Sequence, residues 1–279
     1  MTLTAAETSK FVQAGEVKIH YHEAGTGPVL LCIHGGAPGA FGWANFGRNL
    51  EALSRYFRTL IVDLPGYGKS DKPGIEGPRT GFYARTFRDM LDALGISKAH
   101  VLGLATGGTV GIKMAIDYPH RIDKLILVNS PGGLSLFQVG APKPATHNYY
   151  SGEGPSMERM RANLERLVYD KSLLTDEIVR ERYEASIDPE FMSQAPEGKG
   201  GKSGQTLEPL WQVLHKIEAE TLVIWGRDNP TLNYDNALFM LNRIPNVRVH
   251  IHAKCGLWVP FEKAKEFNKE VIVFLTLDL

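Results

Sequence analysis

Residues 103–108 read GLATGG, and this short stretch decides how the rest of the chain is interpreted. Gly103, Gly107 and Gly108 have the spacing of a nucleophile elbow, the G-x-S-x-G turn in which a strand passes sharply into a helix. The apolar run AHVLGL precedes the turn and the helical pattern GGTVGIKMAID follows it, as such a turn requires. The position at which the pattern carries its serine is occupied by Ala105. The frame of the turn is therefore present without the nucleophile.

Short apolar runs outside the elbow predict a buried sheet. Near-continuous Val, Ile and Leu of strand length are typical of parallel strands that are covered on both faces. The runs are PVLLCIH (28–34), RTLIVD (58–63), AHVLGL (99–104), KLILVN (124–129), ETLVIWG (220–226) and NVRVHIHA (246–253). Helical patterns alternate with them, which favours a doubly wound, mostly parallel α/β sheet. KFVQ and VKIHYHEAG, near the N-terminus, predict an antiparallel hairpin.

One long segment interrupts this alternation. It contains the helical patterns SMERMRANLERLVYD (156–170) and TDEIVRERYEAS (175–186) and the Gly/Lys-rich loop APEGKGGKSGQ (195–205). We therefore predict a core domain of residues 1–133 and 216–279 and a helical lid of residues 134–215. The lid is expected to lie over the carboxyl ends of the strands, where open α/β sheets bind ligands.

Composition and charge exclude several classes of binding partner. The chain carries 31 basic and 31 acidic residues, so we expect neither nucleic acid nor a membrane as a partner. No apolar run approaches the roughly 20 residues of a membrane span, and MTLTAAETSK lacks the apolar core of a signal peptide. Cys32 and Cys255 lie in apolar segments and are interpreted as buried thiols of a cytoplasmic protein. No dinucleotide-binding glycine motif, Walker motif or metal-ligand spacing appears, so we expect a small-molecule partner, no cofactor and no metal.

Longer motifs reveal a family resemblance. The run IHGGAPGAFGWANFGRNLEALSRYFRTLIVDLPGYGKSDKP, the elbow, SPGGLS, VRERY, VIWGRDN and CGLWV follow one another in the chain. Together they closely resemble the α/β-hydrolase fold, and they are most similar to the meta-cleavage product hydrolases, which cut carbon–carbon bonds in vinylogous 1,5-diketones. The resemblance covers nearly the whole chain. It implies a mostly parallel, doubly wound sheet with the lid inserted between strands six and seven.

The resemblance also implies a catalytic triad in the chain order Ser, Asp, His. The three matching positions are Ala105, Asn229 and Leu257. A methyl group cannot attack a carbonyl, an amide cannot stabilise an imidazolium as a carboxylate does, and an isobutyl group cannot move a proton. All three catalytic roles are vacant in this sequence.

Neighbouring residues offer limited replacements for the triad. Thr106 has a hydroxyl beside the elbow, and a register shift would bring Asp228 to the acid position. His34 follows a strand and is interpreted as structural, whereas His250 and His252 alternate to one face of their strand. A hydrolase with substitute residues therefore stays open as an alternative.

The binding groups implied by the family are better preserved than the triad. The GGAPG loop and the N–H of Thr106 predict a backbone oxyanion pocket, so we assign catalytic roles to Thr106, Gly35 and Gly36. The resemblance makes Arg182 the lid arginine that contacts the substrate carboxylate; the alternative is a surface arginine beside two glutamates. The remaining substrate-binding positions are Asn45, Leu104, Ala105, Asn229, Leu257 and Trp258. For Trp258, core packing is the alternative.

Three functions compete. The vacant triad favours a cofactor-free, non-hydrolytic enzyme that uses the oxyanion pocket to isomerise, cyclise or cleave a hydrophobic, enolisable or polyketide- or aromatic-derived molecule. The second function is a non-catalytic small-molecule-binding protein, and the third is a C–C or ester hydrolase with substitute residues. Turnover of a dienol substrate separates the first two. Because members of the family usually associate through sheet-edge or lid surfaces, we also expect a homodimer.

Overall fold

Eight strands form one sheet in the computed structural model, which describes residues 3–75, 77–135, 149–194 and 208–277. The strands are β1 (Ser9–Ala14), β2 (Val17–Ala24), β3 (Val29–Ile33), β4 (Arg58–Val62), β5 (Ala99–Leu104), β6 (Ile122–Val128), β7 (Glu220–Gly226) and β8 (Val247–His252). Their spatial order is β1-β2-β4-β3-β5-β6-β7-β8. β2 pairs antiparallel with β1 and β4, and every other pair is parallel. The predicted mostly parallel, doubly wound sheet and its N-terminal hairpin are confirmed.

Helices cover both faces of this sheet. They are α1 (Ala5–Thr8), α2 (Gly42–Leu53), α3 (Arg79–Ala93), α4 (Thr106–Asp117), α5 (Met157–Glu165), α6 (Asp176–Ser186), α7 (Pro189–Gln194), α8 (Asp235–Leu241), α9 (Val259–Glu262) and α10 (Ala264–Thr276). Alternate residues of one strand enter opposite core clusters: Leu31 and Ile33 pack with α3, α4 and α8, whereas Leu30 and Cys32 pack with α2, α9 and α10. Burial on both faces explains why these strands are continuous apolar runs in the sequence.

The segment between β6 and β7 contains α5, α6 and α7. α5 and α6 pack against each other, and Met160, Leu164 and Val179 from these helices join the core cluster of α2 and α10. Thr175 caps α6 with its side chain, which accepts a hydrogen bond from the N–H of Ile178. The Gly/Lys-rich loop at 195–205 lies outside the described residues, and that the whole segment acts as a lid stays a prediction. Within the described part of the chain, no helix has both the length and the apolarity to cross a membrane.

Candidate active site

The sharp turn predicted at Ala105 is present. Ala105 joins the end of β5 to the start of α4 with φ 47° and ψ −113°, a left-handed region that few residues with a side chain adopt. The turn is held by the backbone N–H of Ala105, which donates to Val128 O over 2.9 Å, and by its carbonyl, which accepts from the N–H of Gly108 over 2.9 Å. The elbow is thus formed by backbone hydrogen bonds and does not depend on a hydroxyl at position 105.

The glycines of the elbow are required by packing. A Cβ on Gly103 would lie 2.3 Å from Gly107 O, and one on Gly107 would lie 2.1 Å from Ile33 O. A Cβ on Gly108 would lie 1.6 Å from Ser130 Oγ. Real Cβ atoms do not approach other atoms so closely, so each position excludes a side chain. The shape of the turn is therefore fixed by the close packing of β5, α4 and the end of β3, and it does not require a serine at position 105.

The loop after β3 lies directly against the elbow. A Cβ on Gly35 would be 3.4 Å from Ala105 Cβ, and one on Gly36 would be 2.8 Å from Thr106 Oγ1. Thr106 is the first residue of α4, so its N–H has no acceptor within the helix and lies at the positive end of the helix dipole. The structure therefore brings together the backbone of Gly35, Gly36 and Thr106, the arrangement that an oxyanion pocket requires.

His34 supports this loop and cannot act as a base. The N–H of Leu64 donates to His34 Nε2 over 2.9 Å, so the proton lies on Nδ1, which donates to Gly35 O over 2.7 Å. Complete burial lowers the pKa of His34 from 6.5 to about 4. The ring is therefore neutral, with both nitrogens engaged, and it fixes the position of the loop.

The position of the triad acid is occupied by an amide that holds its own loop. Asn229 Oδ1 accepts from the N–H groups of Thr231 and Leu232 over 3.0 and 3.3 Å. Its Nδ2 donates over 3.1 Å to Asn129 Oδ1, which also accepts from the N–H of Gly226 over 3.2 Å. Asn229 is 7% exposed and Asn129 is fully buried. Both side chains thus serve to join the ends of neighbouring strands.

The position of the triad base is occupied by half-buried Leu257, which packs against the core cluster of α2 and α10. Asn129 Nδ2 donates to Leu257 O over 2.8 Å, which links residue 257 to the asparagine pair. Asp228 does not replace the missing acid here, because its Oδ2 accepts from the N–H of Lys254 over 2.8 Å. Among the hydrogen bonds of the described residues, none joins Thr106 Oγ1 to a histidine.

Arg182 projects from α6 into the protein and is only 2% exposed, which excludes the surface alternative. Its Nη2 donates to Pro38 O over 3.1 Å, and the guanidinium carbon lies 5.4 Å from the centroid of the Trp258 ring. Burial lowers the pKa of Arg182 to about 10, and the group stays charged near neutral pH. Arg182 Nε and Trp258 Nε1 are both buried without a hydrogen-bond partner among the described residues. Two neighbouring donors therefore lack an acceptor.

Other predicted binding residues have more ordinary contacts. Leu104 is buried at the end of β5, next to Gly35. Asn45 lies in α2, where its Nδ2 donates to Phe41 O over 2.9 Å. Trp258 is 2% exposed and stacks on Phe261 with ring centroids 4.2 Å apart, so it packs in the core as well as facing Arg182.

Sequence reasoning missed the aromatic contact between α7 and Tyr67, a residue after β4 that also bonds to the loop after β3. Tyr67 donates its hydroxyl to Gly36 O over 3.2 Å, and the ring of Phe191 lies 5.9 Å from that of Tyr67 and 5.8 Å from that of Tyr150. A Cβ on Gly39 would meet Arg182 O at 1.9 Å, so α6 also touches this loop directly. No sequence pattern pairs residues so distant in the chain.

A Ser-His-Asp hydrogen-bond chain occurs at the N-terminal hairpin. Ser9 Oγ lies 2.8 Å from His20 Nε2, and His20 Nδ1 lies 2.8 Å from Asp63 Oδ2. Asp63 also accepts from the N–H groups of Gly42 and Lys69 over 2.6 and 2.9 Å. Ser9 belongs to a regular strand ladder and not to a strained turn. This network holds two loops in place, and we interpret it as structural.

Comparisons with known proteins agree with the geometry. A sequence model of the alpha/beta hydrolase fold matches residues 28–264. The chain is 37% identical to a 2-hydroxy-6-oxo-6-phenylhexa-2,4-dienoate hydrolase of Comamonas testosteroni, with 98% of each chain covered. It is 34% identical to a 2-hydroxy-6-oxononadienedioate/2-hydroxy-6-oxononatrienedioate hydrolase of Burkholderia vietnamiensis, covering 98% of this chain and 97% of that protein. Among solved structures, a serine-to-alanine mutant of a meta-cleavage product hydrolase from Pseudomonas fluorescens, complexed with acetates, superposes with a TM-score of 0.85 at 30% identity, covering 97% and 98% of the two chains.

These relatives correct the preferred function of the sequence analysis. A non-hydrolytic isomerase, cyclase or lyase was expected, and that prediction is wrong because the full-length relatives at 34–37% identity are named as hydrolases. The error has a physical cause. Backbone N–H groups beside the elbow and a buried arginine suit hydrolysis of a C–C bond as well as a non-hydrolytic step, and the three side chains at the triad positions do not distinguish the two reactions.

Proposed function

Because the chain belongs to the α/β-hydrolase fold family, we propose that it hydrolyses carbon–carbon bonds of 2-hydroxy-6-oxo-dienoates, the substrates that its full-length relatives are named for. These compounds carry a carboxylate at carbon 1 and a ketone at carbon 6. A site for them needs a cation or strong donors at one end and an oxyanion pocket at the other.

The buried, unpaired charge of Arg182 is the observation that carries this proposal. Burying a cation without a partner costs several kcal/mol, and no described carboxylate lies within ion-pair distance of this guanidinium. Trp258 Nε1 offers a second donor without an acceptor beside it. A substrate carboxylate supplies the acceptors that both groups lack, which supports Arg182 and Trp258 as the carboxylate site. Arg182 Nη2 also contacts Pro38 O, next to the oxyanion loop.

The ketone end is assigned to the backbone N–H groups of Thr106 and of the Gly35–Gly36 loop. In the proposed reaction the dienol first ketonises, so that the hydroxyl at carbon 2 loses its proton and carbon 5 gains one. Water then adds to the ketone at carbon 6 and releases a proton to solvent, and the bond between carbons 5 and 6 breaks. The electron pair of that bond moves through the conjugated carbons onto the ketone oxygen at carbon 2, which takes up a proton to give the dienol product. The phenyl substrate plus water then gives benzoate and 2-hydroxypenta-2,4-dienoate. The methyl group of Ala105 forms no acyl-enzyme, so water itself is the nucleophile.

The missing triad limits the expected rate. Serine hydrolases stripped of their triad retain about 10³–10⁴-fold acceleration over water from the oxyanion hole and substrate binding. We therefore expect slow turnover that is still measurable in long incubations.

The experiment is incubation of the purified protein with 2-hydroxy-6-oxo-6-phenylhexa-2,4-dienoate in ¹⁸O-labelled water, followed by chromatography and mass spectrometry. Benzoate that carries one ¹⁸O atom and forms faster than in buffer is the expected result. Arg182→Ala should slow its formation, and Arg180→Ala, an exposed arginine of the same helix, serves as the matched control.

A second candidate is a binding protein without catalysis. The observation that favours it is the set of side chains at the triad positions, since Asn229 is fully engaged with its own loop and Ala105 and Leu257 are apolar. Spectral perturbation of the bound dienoate without any benzoate would reject hydrolysis and establish this candidate.

The remaining assignments are also proposals. Ala105, Leu104, Asn45, Leu257 and Asn229 form the rest of the substrate site, and residues 134–215 act as its lid. We propose a cytoplasmic homodimer, supported by two buried free thiols and by the two sheet edges at β1 and β8. Light scattering that gives a mass near that of one chain, 30.9 kDa, at micromolar concentration would contradict the dimer.

A further inference from the structure

Two histidines and a glutamate converge at the β8 edge of the sheet, on the face covered by α10. His250 and His252 are two positions apart in β8, so their side chains lie on the same face of the strand. Their rings stack with centroids 4.4 Å apart. Glu270, in α10, places Oε1 2.9 Å from His250 Nδ1 and 3.2 Å from His252 Nε2. The ligand atoms of all three residues lie within 4.8 Å of one another.

We propose that His250, His252 and Glu270 bind one divalent first-row transition-metal ion, Zn²⁺ in the first instance. Zinc bonds to imidazole nitrogen and carboxylate oxygen at about 2.0–2.2 Å, which places tetrahedral ligand atoms about 3.3 Å apart. The observed separations from Glu270 Oε1 are already close to that value. Two imidazoles and one carboxylate form a ligand set that suits zinc and leaves a position for water.

The exposure of His250, His252 and Glu270 suits a metal site that is ordered and still open to solvent. The side chain of His252 is 9% exposed and that of Glu270 is 19% exposed, so two ligands are held by packing. The side chain of His250 is 50% exposed and gives an ion access from solvent. The next charged residue on this face is Arg248, whose Nη2 is paired with Glu220 over 2.8 Å. Glu220 also pairs with Lys124 over 3.2 Å, so the charge of Arg248 is compensated only in part.

A metal ion at this site would join the edge strand to the C-terminal helix. β8 ends at His252, and the loop that follows it carries Leu257 and Trp258. Binding should therefore stabilise the fold at the strand end that supports this loop, because the ion binds the folded state and finds no preformed site in the unfolded chain. The proposal departs from the metal-free expectation of the sequence analysis. It is independent of the proposed hydrolysis.

The test is calorimetric titration of the tag-free, chelator-treated, full-length protein with zinc chloride. We expect one zinc ion per chain, a higher midpoint of thermal unfolding, and a visible absorption band when cobalt chloride replaces zinc. Glu270→Gln keeps the shape and a hydrogen-bonding side chain, and His250→Ala removes an exposed ligand. Each should weaken zinc binding by about 100-fold or more, since even the loss of an outer hydrogen-bond partner costs about 10–100-fold.

His215→Ala, at an exposed histidine far along the chain from β8, is the control and should leave zinc binding unchanged. Circular dichroism of each variant establishes that it is folded. Absence of saturable zinc binding by the wild-type protein would overturn the proposal, as would an affinity in Glu270→Gln and His250→Ala equal to that of the control.

Discussion

Asn229 Nδ2 donates to Asn129 Oδ1 over 3.1 Å, so the residue at the acid position points its amide toward the end of β6. The other side of the Asn129 amide donates to Leu257 O over 2.8 Å. The positions that match the family's acid and base are therefore connected by the uncharged side chain of Asn129, which joins three loops. Restoring the triad means replacing this connection.

We expect Asn229→Asp alone to destabilise the protein by about 1–3 kcal/mol, the cost of leaving a buried polar group without its hydrogen bond. A carboxylate at 229 would face Asn129 Oδ1, and rotating the Asn129 amide to donate to it would remove the hydrogen bond to Leu257 O. Urea unfolding at neutral pH measures the change. Asn246→Asp, at an exposed asparagine before β8, is the control. Equal stability of Asn229→Asp and the wild type would mean that the asparagine pair is not a structural link.

We expect Arg182→Ala to weaken binding of the 2-hydroxy-6-oxo-dienoate by about 1.5–3 kcal/mol, the range for a hydrogen bond to a charged group. The free energy of unfolding should change little, because the lost contacts with Pro38 and Trp258 are offset by removal of a buried charge. Fluorescence titration and urea unfolding measure the two effects. Undiminished affinity for the dienoate would place its carboxylate elsewhere.

The wild-type protein should not react with a fluorophosphonate probe, which needs an activated serine. Ala105→Ser should also stay unlabelled, because a hydroxyl without a base is a weak nucleophile and triad members act as a unit. Only Ala105→Ser combined with Leu257→His, and further with Asn229→Asp, supplies the required groups, and there we expect labelling. Intact-mass spectrometry with peptide mapping detects it. Stoichiometric labelling of unmodified protein at Thr106 or Ser9 would contradict the water mechanism.

Stability should fall as the pH is lowered from about 6.5 toward 4. Burial lowers the pKa of His34 and of His22 from 6.5 to about 4 in the folded protein. The unfolded chain therefore binds protons in this range that the folded chain does not, and each histidine lowers the free energy of unfolding by at most about 3 kcal/mol. Below about pH 4 this contribution no longer changes.

The pH dependence is measured by urea unfolding at several pH values. His34→Gln should show a shallower dependence than the wild type, whatever its stability at neutral pH. His215→Gln, which changes an exposed histidine, should keep the wild-type slope. A slope unchanged in His34→Gln would show that His34 does not titrate with a depressed pKa.

The sheet and the elbow could be predicted because their causes are local in sequence. Strands that are buried on both faces must be apolar along their whole length. Gly103, Gly107 and Gly108 stand at a fixed spacing because the backbone approaches other atoms closely at each of them. Arg182 could not be placed, since an arginine beside Glu181 and Glu184 has the local pattern of an exposed helix face. Its guanidinium instead bonds to Pro38 O, 144 residues away in the chain. The hydrogen bonds of Asn129 could not be predicted for the same reason, because its partners lie 100 and 128 residues further along the chain.

The close contact between Gly108 and Ser130 has an evolutionary consequence. A mutation that adds a side chain at Gly103, Gly107 or Gly108 disturbs the packing around the elbow, whereas one that changes residue 105 removes only a chemical group. Selection for a stable fold therefore acts on the glycines, and selection for the chemistry acts on the residue at position 105. A lineage can exchange its nucleophile in a single step and keep the signature by which its ancestry is recognised.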